Sequence, residues 1–406
     1  MNSFFEKNSN QKEFTSKLKK VYSFYTLGFV VFCTLLAIAE QFGLSQSAIG
    51  YIFLFATIGL YAGIGFMSRT NDPDNYYVAG RRVPAMFNGM ATGADWMSAA
   101  SFIGLAGGLY FDGFRGLAFV MGWTGGYVLV ALLLAPYLRR FGQYTIPDFL
   151  GARYGNNFPR LIGIGIAVLC SFTYVVAQIK GVGLITTRLS GVSFEVGVFL
   201  GLAGILVCSF LGGMRAVTWT QVSHYIVLII AYLIPVIWLS VQQTNFPIPQ
   251  LVYGQQLQKV TDLENKINSD PAEIQVRNIV ADAKLKLKNV SESYAGEVSK
   301  QKEKNSAHLE DEATYAEHLK ILSSGNSKPP IPHAEPFPGE TEDDKWAAKK
   351  NFFALLFCLA LGTASLPHIL MRYYTTPSVS EARTSVTWSL LFIILLYFTA
   401  PALAVL

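Results

Sequence analysis

"GADWMSAASFIG", residues 93–104, lies inside an apolar run long enough to cross a bilayer, yet it carries Asp95, Ser98 and Ser101. A lipid-facing helix gains nothing from such groups, because a charge or hydroxyl in hydrocarbon has to be satisfied inside the bundle or at a water-filled cavity. The stretch therefore reads as the site-facing part of a membrane helix. Gly89, Gly93, Gly104, Gly107 and Gly108 surround it. Glycine costs helix stability and admits close backbone approach, so the pattern predicts a helix broken near its middle, with bare carbonyls that could coordinate a cation. Packing alone would explain the glycines, and small-xxx-small pairs recur at Gly59/Gly63, Gly104/Gly108, Gly122/Gly126 and Gly197/Gly201. It does not explain Asp95.

The rest of the chain fits that setting. Its 406 residues are 51% hydrophobic and 15% charged, with a mean hydropathy of +0.35 despite one long polar stretch. At roughly 20 apolar residues per crossing, nine candidate spans follow: 21–40, 47–68, 86–110, 116–138, 160–187, 194–214, 217–241, 350–372 and 383–406. The expected architecture is an all-α polytopic membrane protein. Residues 1–241 form its first part, 242–349 a hydrophilic insert too long for an ordinary connection, and 350–406 its last two spans.

Basic residues set the orientation. With the N-terminus inside, Lys7, Lys12, Lys17, Lys19, Lys20, Arg69, Arg81, Arg82, Arg139, Arg140, Arg153, Arg160, Arg215, Arg372 and Arg383 fall on the inner face, against Arg115 and Arg188 on short outer loops. That is fifteen against two, and it puts the N-terminus in the cytoplasm and the insert outside. The run at 21–39 follows lysines but has no small-residue cleavage site, so it reads as an uncleaved helix. Net charge is +5 with no nucleic-acid motif beside it. Cys33, Cys170, Cys208 and Cys358 fall one each in separate apolar segments and pattern as small packers. Within the insert, residues 276–305 have helix formers with some apolar periodicity, and 323–344 are rich in Pro, Gly and acid and read as an extended tether.

A second interruption stands in "LALGTASLPHILMRYYTT", where Gly362, Thr363, Ser365, Pro367 and His368 break an otherwise Phe-, Leu- and Ala-rich segment. Pro367 removes a backbone donor and so exposes a carbonyl one turn earlier. Two interrupted helices in separate parts of a membrane chain point to a midplane transport site, with half-helix ends and unwound carbonyls holding an anion and a cation. In the fifth span Tyr174, Gln178 and Gly181 share a helix face, and Lys180 lies nearer the opposite one. Glu40, Asp112 and Glu195 sit near span ends and His224 reads as structural. The sequence shows no Walker loop, no metal-spaced His/Cys set and no nucleophile triad, so nothing in it resembles a hydrolase or redox site and ATP-driven transport loses its main support.

Four motifs carry a family resemblance: "DNYYVAGRRVPAMFNGMATGADWMSAASFIG", "YTIPDFLGARYG", "FLGGMRAVTWTQ" and "GTASLPHILMRYYTTPSVSEAR". With them the chain resembles the sodium:solute symporter family, most closely its bacterial cation/acetate symporters. The resemblance implies a LeuT-type inverted-repeat fold: residues 47–68 as a preceding helix, 86–241 as the first five-helix repeat, and 350–406 as the first two helices of an incomplete second repeat. It implies sodium held by the carbonyls of Ala94 and Met97 with help from Ser98, and by hydroxyls of a later helix, with Asp95 tuning the field. Substrate contacts map to Ser101, Phe102, Gln178, Thr363, Ser365 and His368. The implied partners are a small carboxylate, sodium as coupling ion with no other cofactor, the lipid bilayer of a bacterial inner membrane, and a small membrane subunit as accessory.

Three features depart from the family pattern. The span at 21–40 is extra, the insert is far longer than the usual loop, and the chain stops at Leu406, before the helix expected to supply the sodium-site hydroxyls. A C-terminally truncated symporter is the expectation. The function expected is secondary active uptake of a small monocarboxylate such as acetate, driven by sodium or protons. The alternatives are a solute-sensing membrane domain of a signalling protein, and an inactive truncation product.

Overall fold

A computed structural model of the chain describes residues 2–298, 320, 332–339 and 341–406, and all regular structure among them is helical. In chain order the helices are α1 (Asn2–Gln41), α2 (Gln46–Met67), α3 (Pro73–Val78), α4 (Ala85–Trp96), α5 (Leu105–Asp112), α6 (Leu117–Leu129), α7 (Ala135–Phe141), α8 (Ile146–Tyr154), α9 (Asn157–Ser190), α10 (Phe194–Thr244), α11 (Pro249–Ser269) and α12 (Pro271–Val298). After them come α13 (Glu342–Ala364), α14 (Pro367–Leu370) and α15 (Val379–Val405). A π-helical turn, Ala99–Gly104, follows α4, and a 3-10 turn, Met371–Thr375, follows α14.

Seven helical stretches among the described residues are long and apolar enough to cross a membrane, two fewer than the nine expected. Two local features account for the difference. The 51-residue α10 is broken at Gly213 (φ 51°, ψ −141°), so it divides near the expected boundary between 194–214 and 217–241. The expected span at 86–110 is no single helix: α4 has 12 residues and α5 has 8, with the interruption between them. The chain also turns back between α5 and α6. A Cβ on Gly116 would lie 3.2 Å from Leu109 Cα, whereas seven residues of straight helix rise about 10 Å. The chain is a multi-pass membrane protein.

The chain forms two compact units. The larger comprises the chain up to Phe111, Arg115–Tyr253 and Ala347–Leu406. Its centre is α4, where ten of twelve residues are buried. Gly89 and Gly93 allow this: added Cβ atoms would sit 2.5 Å from Trp388 Cβ and 3.2 Å from Phe392 Cβ, so α15 lies directly on the α4 backbone. The N-terminus of α4 has no capping side chain of its own, and its Ala85 N–H donates instead to Glu381 of α15 at 2.9 Å. Deeper along the same contact, Asn88 is fully buried, donating to Ser385 (2.8 Å) and accepting from Thr375 (3.0 Å).

Of the four small-residue pairs, Gly122/Gly126 pack on Leu359, Ala360 and Thr363 of α13, and Gly197 and Gly201 on Thr186 and Val182 of α9. Gly59 and Gly63 meet nothing within 4 Å and do not form a helix contact among the described residues. Gly104 and Gly108 are equally open apart from one carbonyl at 3.8 Å from Gly104.

The smaller unit contains Asp112–Phe114 and Gly254–Trp346. Here the α11 carboxylate of Glu264, nearly buried, accepts the backbone N–H of His333 at 3.1 Å and meets its ring. The His333 carbonyl accepts from Phe114 N–H at 2.8 Å. Gly113 (φ 56°) permits this, since a Cβ there would lie 2.6 Å from His333 Cα. The turn between α5 and α6 thus belongs to the insert's own unit. α12 covers the first part of the helix-forming segment read at 276–305, and its remainder lies outside the described residues; of the tether expected at 323–344, residues 332–339 and 341 run without helix, 342–344 already belong to α13, and 323–331 and 340 lie outside the described residues.

Candidate functional site

The interruption expected in residues 93–104 falls at Met97 and Ser98. Met97 (φ −79°, ψ 57°) ends α4 and Ser98 (φ −76°, ψ 173°) is extended before the π turn begins. In an uninterrupted α-helix the N–H groups of Ser98, Ala99 and Ser101 would bind the carbonyls of Ala94, Asp95 and Met97. All three go elsewhere. Ser98 N–H donates to Ser101 Oγ at 3.0 Å, Ala99 N–H to Gln178 Oε1 at 3.1 Å, and Ser101 N–H to Ser98 Oγ at 3.4 Å. The Ser101 hydroxyl in turn donates to the Trp96 carbonyl, which has lost the same kind of partner. What remains is a cluster of peptide oxygens at Ala94, Asp95 and Met97 stripped of their α-helical donors; Ala94 keeps a short-turn bond from Met97 N–H at 3.1 Å. Such oxygens are hard, neutral ligands of the kind that replace an ion's hydration shell.

Asp95 does not face an open cation position through its side chain. Its two carboxylate oxygens accept from Arg372 Nε (2.6 Å) and Nη2 (2.8 Å), a bidentate pair in which both side chains are under 10% exposed. The third guanidinium nitrogen reaches Thr218 at 3.1 Å and the Met214 sulfur at 3.8 Å. Arg372 is therefore no inner-loop charge, as the orientation count takes it; it is buried and ties both interrupted segments to α10 just past Gly213. The sequence gives one faint signal of this: Arg372 lies four residues beyond His368, close enough to remain within the bundle.

The α9 residues bridge the two interruptions. Gln178 binds the Ala99 amide, and one turn earlier Tyr174 packs on His368 with ring centroids 4.7 Å apart and planes tilted by 33°. A Cβ on Gly181 would meet Ala99 Cβ at 2.7 Å, so this helix lies close against the π turn, and Lys180 is exposed away from it. The second interruption follows Ala364, with Leu366 extended (ψ 117°) and Pro367 opening α14. The expected substrate set divides here. His368 joins the α9 face, buried Thr363 packs on Gly126 of α6, and Ser365 is exposed with its hydroxyl donated to Leu361 carbonyl at 2.8 Å. Ser101 is buried and Phe102 half-buried, the latter against Tyr232 of α10 with centroids 5.3 Å apart.

Replacing Gln178 by Leu leaves the Ala99 amide without its acceptor. The expected cost is about 1–3 kcal/mol, read as a lower melting temperature in detergent, with Gln178→Glu losing less because it retains an acceptor. An unchanged melting temperature in Gln178→Leu would mean the bond does not hold the interruption.

Aromatic groups unmarked by the sequence reading complete the site. Tyr127 and Tyr373, both fully buried, share a hydroxyl bond of 2.6 Å, and Trp96 packs on Tyr127 at 5.3 Å. Trp96 Nε1 and Tyr232 Oη are buried donors with no hydrogen-bond partner among the described residues, a condition that costs about 1–3 kcal/mol per group.

The chain is 47% identical over 429 aligned positions to an uncharacterized symporter of Cupriavidus necator, an alignment that covers 98% of this chain and 63% of that protein. The chain thus spans under two thirds of the length of that relative. The solved structure of a Na+-coupled sialic acid symporter, substrate-bound and outward-open, is similar in fold with a TM-score of 0.50 at 16% identity, over 88% of this chain and 60% of the other. Residues 76–272, which hold the interrupted α4, the π turn and the Gly213 break, match the model of the Sodium:solute symporter family.

Proposed function

We propose that the protein is a secondary active symporter coupling sodium entry to uptake of a small monocarboxylate, with acetate the first candidate. The observation that carries this reading is the interruption at Met97–Ser98, where peptide oxygens of Ala94, Asp95 and Met97 lack their helical donors. A cation held there by Ala94 and Met97 is not neutralised by Asp95, which is spent on Arg372. Its charge is then free to favour an anionic solute nearby. That is the physical basis of coupling: each ligand improves the site for the other, and both discriminate between outward- and inward-facing states. Ser98, Ser101 and Phe102 flank the cation position, with Gln178 fixing the π turn and His368 on the adjoining face. Protons replace sodium in this scheme if a side chain at the site takes up the proton in place of the cation. The N-terminus is cytoplasmic, and uptake runs inward across a bacterial inner membrane.

The test is uptake of radiolabelled acetate, propionate and pyruvate into proteoliposomes carrying the intact protein, with and without an inward sodium gradient. At least a tenfold stimulation by sodium for one of the three is expected. Equal rates with sodium, with a proton gradient alone and with neither would overturn the reading.

A further inference from the structure

Tyr232 lies on α10 past the Gly213 break, is 4% exposed, and its ring packs on Phe102 of the π turn. Its hydroxyl is buried and has no hydrogen-bond partner among the described residues. A phenylalanine would fill the same volume without burying an unpaired donor, so packing does not account for the oxygen. A phenol O–H left unpaired on a ring packed against the π turn that follows the candidate cation site calls for an acceptor that arrives with the ligand. A carboxylate is the strongest such acceptor, and the half-buried face of Phe102 beside it suits a short apolar tail.

We propose that Tyr232 is a solute-contacting residue whose hydroxyl donates to the carboxylate of the transported acid, with Phe102 walling its alkyl end. This rests on the symporter reading above. Trp96 Nε1 is in the same unpaired condition on the α4 side of the interruption. Tyr232 is the one of the two whose polar atom can be deleted without altering the ring.

The experiment compares wild type and Tyr232→Phe by thermal unfolding of the purified protein, titrated with acetate, propionate or pyruvate in sodium and in choline. A hydroxyl that serves the fold and one that serves the ligand move opposite readouts. Tyr232→Phe is expected to unfold at the wild-type temperature or higher without solute, since no internal bond is lost. Its half-saturating carboxylate concentration should rise about tenfold or more, the usual consequence of losing one charge-assisted hydrogen bond. Wild-type affinity in the variant would overturn the assignment, as would a lower melting temperature without solute at unchanged affinity. If wild type itself responds to none of the acids while remaining folded, the symporter reading for monocarboxylates falls, and the role of Tyr232 falls with it.

Discussion

Arg372→Met is expected to be the most damaging single replacement in the protein. It removes the one partner that both oxygens of buried Asp95 share among the described residues, and leaves a carboxylate at the centre of an apolar bundle. Breaking a buried pair from one side costs about 3–5 kcal/mol, a large fraction of the roughly 5–15 kcal/mol that holds a typical domain together. Desolvation makes the one-sided loss expensive, so the double variant Asp95→Asn/Arg372→Gln should recover most of it, since neutral amides can still hydrogen-bond across the gap. The measurement is monodisperse yield and melting temperature in detergent for Arg372→Met and for the double variant. Equal stability of Arg372→Met and wild type would show that the pair holds nothing. Raised salt should not reproduce the loss, because a pair this buried is poorly screened.

Gly213→Ala should come second. The residue has φ 51° and ψ −141°, a combination that L side chains avoid, and a Cβ there would sit 2.5 Å from the Tyr76 carbonyl oxygen. Strained backbone costs about 1–3 kcal/mol, and the collision is with main chain that cannot rotate aside. The break in α10 must then shift, carrying with it Met214 and Thr218, which hold Arg372. A loss of about 3 kcal/mol or more is expected. Gly59→Ala is the matched control: it lies in mid-helix with nothing within 4 Å and should be neutral or gain up to about 1 kcal/mol. If the two alanines behave alike in thermal unfolding, neither the kink nor the open setting of Gly59 is as described.

Much of this protein was legible in residue order. Asp95, Ser98 and Ser101 in a glycine-rich apolar run announced an interrupted helix, and Gly362 to His368 announced another, because hydrocarbon penalises every polar group that a continuous lipid-facing rod would strand. Both interruptions are where those residues stand. The shared face of Tyr174 and Gln178 followed from helical period alone, and each meets a different interruption. Arg372 was misread as an inner-loop charge because its position at the end of an apolar run is what an interfacial arginine also looks like.

Local sequence determined where the chain could not remain helical, since backbone donors lost to proline, glycine and serine are lost whatever surrounds them. It also determined that the interruptions would face inward. Which side chain answers each stranded group was decided only by the tertiary structure. Asp95 and Arg372 are 277 residues apart, and Ala99 and Gln178 are 79 apart. No short-range pattern records a pairing over such separations, because the partner is chosen by which helices can approach closely, and that depends on Gly89, Gly93, Gly126 and Gly181 acting together.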